Sequence, residues 1–184
     1  MCVKFEYFLN VIHYCIYLEE VWSNEKINKI VIGLIDLIFR IPFIGKYIKE
    51  NNVQKAKELD NFYYGNKTGL SISVAHHLFG YFYSCYPGLL SFVLLGISDG
   101  VSESVNRIVT LLLVALPIVL CYIPAYRAVF FKDRYLRYFK QFEKENEQWH
   151  KKWKLITIAF CIGSVVITIG GIFAMWGVNL LFRV

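Results

Sequence analysis

The sequence predicts an all-α integral membrane protein: three transmembrane helices, N-terminal amphipathic helices and a cytoplasmic helical hairpin. Hydrophobic residues make up 57% of the 184 residues, whereas soluble domains have about 45–50%. The excess lies in three stretches without Asp, Glu, Lys or Arg, namely Leu70–Ile97, Ile108–Tyr126 and Leu155–Phe182. A helix of about 20 residues crosses the hydrocarbon core. Because a helix also satisfies its own backbone in lipid, we expect each stretch to span the membrane.

Lysine and arginine alternate between the segments that flank the spans. Nine lie in residues 1–69 and nine in the 127–154 connection, but the 98–107 connection and the tail hold one each. Connections rich in Lys and Arg stay in the cytoplasm. We therefore expect a multi-pass protein, of a bacterial inner membrane, with its N-terminus in the cytoplasm. No signal-peptide pattern is visible, so the first span is expected to direct insertion.

Residues 1–69 are predicted to form a cytoplasmic or interfacial helical region that precedes the three-span region, 70–184. Residues 5–22 place polar and apolar side chains on opposite faces, as in an amphipathic helix. Ser23 or Asn24 is expected to cap a second helix over about 25–40, which Pro42 ends. That helix is apolar on most of its surface and suits the membrane interface or another subunit. The polar stripe of the first helix is Glu6, Asn10, His13, Tyr17 and Glu20.

The 127–154 connection places aromatic residues at helical spacing and charges on the remaining face. We expect the helix of the second span to continue beyond the membrane and the chain to turn back around Glu145–Glu147. Trp149 and Trp153 stand where an interfacial aromatic belt is expected, and Trp176 marks the opposite interface. Two interpretations of the connection stay open. It is a solvated helical hairpin, or it docks a cytoplasmic protein or anionic lipid headgroups.

Small residues recur along two of the spans. Helices in lipid associate where small side chains let their backbones approach closely. Because three helices carry two such rows, we expect one row to pack within the chain and the other between chains of a homo-oligomer. Use of both rows within the chain is the alternative. The predicted faces are Gly163, Gly170, Ala174 and Gly177 on the third span, and Gly80, Ser84 and Gly88 on the first.

The spans contain none of the ionisable side chains, apart from histidine, that proton relays and most ion-coupled transporters use. Pro117 and Pro124 in the second span, with Pro87 in the first, each remove a helical hydrogen bond. Kinked spans are typical of channels and transporters, although other membrane proteins have them too. Hydroxyl groups make the first span the most polar candidate lining of a pore: Tyr81, Tyr83, Ser84, Tyr86 and Ser91.

The histidines form no recognisable metal or catalytic pattern. His76 and His77 are adjacent and point about 100° apart on a helix. They are either ordinary interfacial residues or a pH-sensitive interface. His13 and Cys15 also diverge on a helix. The sequence contains no zinc-ligand spacing, phosphate-binding loop or nucleophile motif. We therefore expect no enzyme, no cofactor, no metal and no nucleic-acid partner.

The expected function is that of a small oligomeric pore-forming or membrane-permeabilising accessory, controlled through its cytoplasmic helices. Small proteins of this layout occur among membrane accessories of bacterial defence systems, which is an analogy of layout only. The alternative is a non-catalytic membrane binding protein, such as a toxin-immunity factor or an assembly subunit. A lipid-modifying enzyme that uses His76, His77 and tyrosines is disfavoured because the spans lack carboxylates.

Overall fold

The computed structural model describes residues 3–39, 69–101 and 106–182, which are almost entirely helical and include no strand. The predicted all-α fold class is therefore confirmed. Three of the helical segments are long and apolar enough to cross a membrane, namely Leu70–Val101, Arg107–Phe142 and Glu147–Phe182. The helices are α1 (Val3–Phe39), α2 (Leu70–Val101), α3 (Arg107–Val129), α4 (Arg134–Phe142) and α5 (Glu147–Phe182).

Helix α2 is the centre of the bundle and packs along both α5 and α3. It runs parallel to α5 and antiparallel to α3, as expected for three successive spans. Hydroxyl groups of α2 tie it to both neighbours, since each donates a hydrogen bond to a backbone carbonyl there. These bonds are Tyr83 Oη to Cys121 O (3.2 Å), Ser91 Oγ to Val114 O (2.9 Å) and Tyr86 Oη to Phe160 O (2.7 Å).

Glycines let α2 and α5 approach closely. A Cβ atom on Gly96 would lie 2.5 Å from the carbonyl oxygen of Met175, and one on Gly171 would lie 2.5 Å from the ring of Phe92. Neither glycine belongs to the predicted small-residue faces. The outward surface of the spans is mostly apolar, as Leu111 (68% exposed) illustrates. Such a surface suits contact with lipid.

Helix α1 is continuous through Ser23 and Asn24, so the predicted break between two N-terminal helices is wrong. The side chain of Asn24 does not cap a new helix. Its Nδ2 donates to Glu20 Oε1 at 3.1 Å and to Ser71 Oγ on α2 at 3.0 Å. Interhelical contact thus takes the place of capping. Pro42, the predicted stop, lies outside the described residues.

The segment Leu9–Ile16 of α1 is buried on every side. It lies against the end of the bundle where α2 and α5 begin and α3 ends, which we call the α1 end. The predicted polar stripe therefore faces protein here, since Asn10 and His13 are fully buried. Each surrounding helix contributes side chains to this core, including Phe79 of α2, Val129 of α3, Phe139 of α4 and Trp153 of α5.

The helix of the second span does not continue straight through the 127–154 connection. Helix α3 ends at Val129, and a short 3-10 turn follows at Phe131–Asp133. Lys132 and Asp133 both have positive φ, 56° and 53°, an uncommon conformation for residues other than glycine. The chain changes direction at this point, and α4 then packs against α1. It reverses again at residues 143–146, beside the predicted turn.

Candidate functional site

Polar side chains form a stripe on the outward face of α2. His77, Tyr81 and Ser84 follow each other at helical spacing, and Tyr81 is 70% exposed. We call these three residues the outer polar stripe. The remaining hydroxyls of the predicted pore lining do not join it, because Tyr83, Tyr86 and Ser91 are bonded to neighbouring helices. The predicted lining is thus divided between the outside and the interior of the chain.

A groove between α2 and α3 lies along this stripe. Its volume is about 320 Å³, and it opens to the outside of the bundle. The wall formed by α3 is largely apolar, with Val119 and Ile123, and includes the phenol of Tyr122. Gly80 forms part of the α2 wall, where a Cβ atom would lie 3.2 Å from Tyr122 Oη. The groove therefore combines hydrogen-bonding groups with apolar surface, as ligand and helix-docking sites do.

His76 and His77 lie in different surroundings, so the two residues of the predicted pH-sensitive interface do not act at the same place. His77 is exposed beside the groove. His76 contributes to the groove wall, but its Nδ1 lies 3.0 Å from Nε2 of His13, at hydrogen-bonding distance. Neither the sequence pattern nor the spacing indicates this pair, because its members lie 63 positions apart.

His13 is enclosed by aromatic side chains at the α1 end. Its ring centroid is 4.8 Å from that of His76, and four aromatic rings surround the pair. Burial, and then the charge on His76, hold the pKa of His13 well below its ordinary value. His13 is therefore neutral at pH 7. The four rings, with centroids 5.3–5.6 Å from that of His13, are Phe79, Phe130, Tyr135 and Phe139.

Polar contacts on either side of this histidine pair also hold α1 against the other helices. Asn10 Nδ2 donates to the carbonyl oxygen of Ala128 at the end of α3, at 3.1 Å. Glu6 accepts hydrogen bonds from Arg134 Nη1 at 3.1 Å and from Tyr138 Oη at 3.3 Å. Lys154 Nζ lies 2.6 Å from Glu19 Oε1. Residues of the predicted polar stripe, together with the nearby Glu19, thus connect α1 to helices that follow it in the chain.

The small-residue face predicted on the third span is also divided. Gly163 meets Tyr86 within the chain, since a Cβ atom there would lie 3.0 Å from the phenol oxygen. Gly170 and Gly177 are exposed, and a Cβ atom on either would meet nothing within 4 Å. Ala174 is half-buried. On α2, the predicted Gly88 is buried, although a Cβ atom would meet nothing within 4 Å there.

The tryptophans before the third span, which were predicted to stand in an aromatic belt, pack partly within the chain. Trp149 packs on Phe142 with centroids 5.1 Å apart, and Trp153 packs on Tyr7 at 6.1 Å. Both contribute to the core around α1. Trp22 of α1 is exposed instead. The predicted Trp176, near the opposite end of the bundle, is also exposed.

No group of three metal-binding side chains occurs within the part of the chain that the structure describes. No family model, curated protein or solved structure matches the chain. The candidate site is therefore defined by geometry alone. It consists of the outer polar stripe, the groove beside it and the open glycines of α5.

Proposed function

We propose that this protein is a non-catalytic membrane protein that self-associates and forms a permeation pathway lined by the outer polar stripe. The single observation that carries this proposal is the outward position of His77, Tyr81 and Ser84 on a mostly apolar surface. Polar groups that face lipid lose their hydrogen bonds to water. Assembly of several copies around these stripes restores those bonds and creates a polar pathway.

The open face of α5 supports self-association. Gly170 and Gly177 are exposed and make no close contact within the chain. A helix from a second copy can approach the α5 backbone there, which is how membrane helices associate. The divided glycine rows fit one packing surface within the chain and another between chains.

We further propose that the α1 end faces the cytoplasm of a bacterial cell. The nine lysines and arginines of residues 127–154 support this orientation. Single cysteines placed at Lys144 and Arg107, in a background without native cysteines, test it. An impermeant maleimide should label Arg107→Cys in intact cells and Lys144→Cys only after permeabilisation. The reverse pattern would overturn the orientation.

Flux of a small dye or ion from liposomes tests the function. Ser84→Leu places an apolar side chain on the outer polar stripe and should reduce flux at least about tenfold, as loss of a favourable polar pathway implies. Ala115→Leu adds the same side chain at an exposed position of α3 outside the groove, and should leave flux unchanged. Equal effects of the two changes, or no flux from correctly inserted protein, would contradict the proposal.

A second candidate function rests on the same open glycines. The Gly170 and Gly177 face also accommodates a helix of a different membrane protein, as an immunity factor or assembly subunit requires. This function predicts a stoichiometric complex without flux. Gly170→Leu should then abolish the complex while the purified chain remains monomeric and folded.

A further inference from the structure

We propose that the paired imidazoles of His13 and His76 form an acid-sensitive latch that holds α1 against α2, so that acidification releases α1. This inference concerns the attachment of α1 and does not depend on the proposed pathway. Its basis is the contact between His13 Nε2 and His76 Nδ1 at 3.0 Å, within a core where His13 is fully buried.

The contact requires one imidazole nitrogen to accept and the other to donate a hydrogen bond. A neutral pair meets this condition, because each neutral ring has one N–H and one free nitrogen. When both rings are protonated, all their nitrogens carry hydrogen and the bond is lost. Two positive charges then stand with their ring centroids 4.8 Å apart. The charge on His13 is fully buried among aromatic rings, where an unpaired charge is costly. Protonation therefore opposes the docked position of α1.

The surroundings provide little negative charge to offset this effect. Asp133, before α4, interacts electrostatically with His76 and is the carboxylate that opposes release. Within α1, burial raises the pKa of Tyr14 to about 12 and that of Cys15 to about 11, so both are neutral in acid. The other ionisable groups nearby are Tyr135 of α4, His77 of α2, and His150 of α5, which packs on Tyr14. From α3, Ala128 and the following Phe130 add only apolar side chains.

The direction of the pH effect follows from the low pKa of docked His13. Released histidine takes up a proton below about pH 6.5, whereas docked His13 stays neutral. The docked state is thus fully favoured above this pH and loses stability as pH falls. Each histidine that is charged only after release favours release about tenfold per pH unit. If both behave this way, the factor is about a hundredfold per unit.

Distance measurement by spin labelling tests the latch in the full chain, reconstituted in nanodiscs. Labels at the exposed positions Lys4 of α1 and Lys152 of α5 report the position of α1. Buried Cys15 stays in place while the other four cysteines are replaced. Between pH 7.5 and 4.5, we expect the narrow distance distribution to become broad and longer, and to recover at pH 7.5. A distribution that is unchanged at pH 4.5 would overturn the proposal.

Variants identify the groups that titrate. His76→Gln keeps a hydrogen-bonding side chain and His13→Phe keeps a ring. Each should weaken the pH response, because one of the two histidines then no longer titrates, and the two changes together should abolish it. His77→Gln, one position away and outward-facing, is the matched control and should retain it. Asp133→Asn removes the opposing carboxylate and should move the midpoint to higher pH. Loss of the response in His77→Gln, or an undiminished response in both His76→Gln and His13→Phe, would refute the latch. If those two variants misfold, a midpoint that moves to lower pH in Asp133→Asn refutes it.

Discussion

The carbonyl oxygen of Met175 on α5 lies 2.5 Å from the position that a Cβ atom would occupy on Gly96 of α2. The contact repeats one turn later, where the carbonyl oxygen of Asn179 lies 2.9 Å from the corresponding position on Gly100. Both contacts are with backbone atoms, which cannot rotate away as a side chain can. The close spacing of α2 and α5 thus requires glycine, which has no side chain, at positions 96 and 100.

Gly96→Val should therefore destabilise the bundle by about 1–3 kcal/mol, the usual cost of overpacking. Gly177→Val adds the same side chain to α5 where nothing lies within 4 Å, so it should change stability by less than about 0.5 kcal/mol. Reversible unfolding in detergent micelles measures both variants. Equal losses of stability would show that the close approach at Gly96 does not limit packing.

Gly170→Leu should weaken association between chains without unfolding the single chain. The added side chain meets open space within the chain but separates the backbones of two associating helices. Energy transfer between labelled chains in proteoliposomes should fall towards the background of mixed, non-associating protein. Val165→Leu adds bulk on another side of α5 and should preserve the transfer. Unaltered transfer in Gly170→Leu would exclude association through this face.

Gly163 and Tyr86 should be energetically coupled. The phenol of Tyr86 donates to the carbonyl oxygen of Phe160 at 2.7 Å, and a Cβ atom on Gly163 would lie 3.0 Å from the same phenol oxygen. Gly163→Ala should disturb this bond in the wild type but do little in Tyr86→Phe. We expect a coupling energy of about 0.5–1.5 kcal/mol from a double-mutant cycle. Simple additivity would mean that the two residues act independently.

Cys15 should resist alkylation in the folded protein. Burial raises the pKa of its thiol to about 11, and the thiolate is the reactive form. In a chain where Cys15 is the one remaining cysteine, maleimide at pH 7.5 should react at least about tenfold more slowly before unfolding than after it. The contribution of the neutral thiol to stability is complete below pH 9 and declines as pH rises towards 11. Equal rates in both states would contradict the buried position.

Hydropathy was sufficient to predict α2, α3 and α5, because an uncharged run of this length has few alternatives to a membrane helix. The small-residue faces were harder to assign. A seven-residue spacing groups Gly163 with Gly170, yet small changes in position around α5 decide whether a glycine meets Tyr86 or open space. The position of the neighbouring helix decides which glycine is covered, and the sequence pattern of α5 carries no information about that position.

The N-terminal helix departs most from the prediction for a similar reason. A polar stripe normally marks the solvent side of a helix, but Glu6, Asn10 and His13 have partners more than 60 positions away. Asn24 resembles a helix cap but bonds to Ser71 on α2. Local pattern cannot distinguish a polar residue that meets water from one that meets a distant polar group. The histidine pair belongs to this second class.

The burial of Leu9–Ile16 has a consequence for synthesis of the protein. Every element that covers this segment lies later in the chain, up to Phe160 of α5, which packs on Phe8. Ribosomes add about 5–20 residues per second, so α1 waits on the order of ten seconds before its complete binding site exists. During that interval its apolar side chains need the lipid surface, an insertase or a chaperone as temporary cover. Docking of α1 is thus a late event in biogenesis, after insertion of the final span has begun.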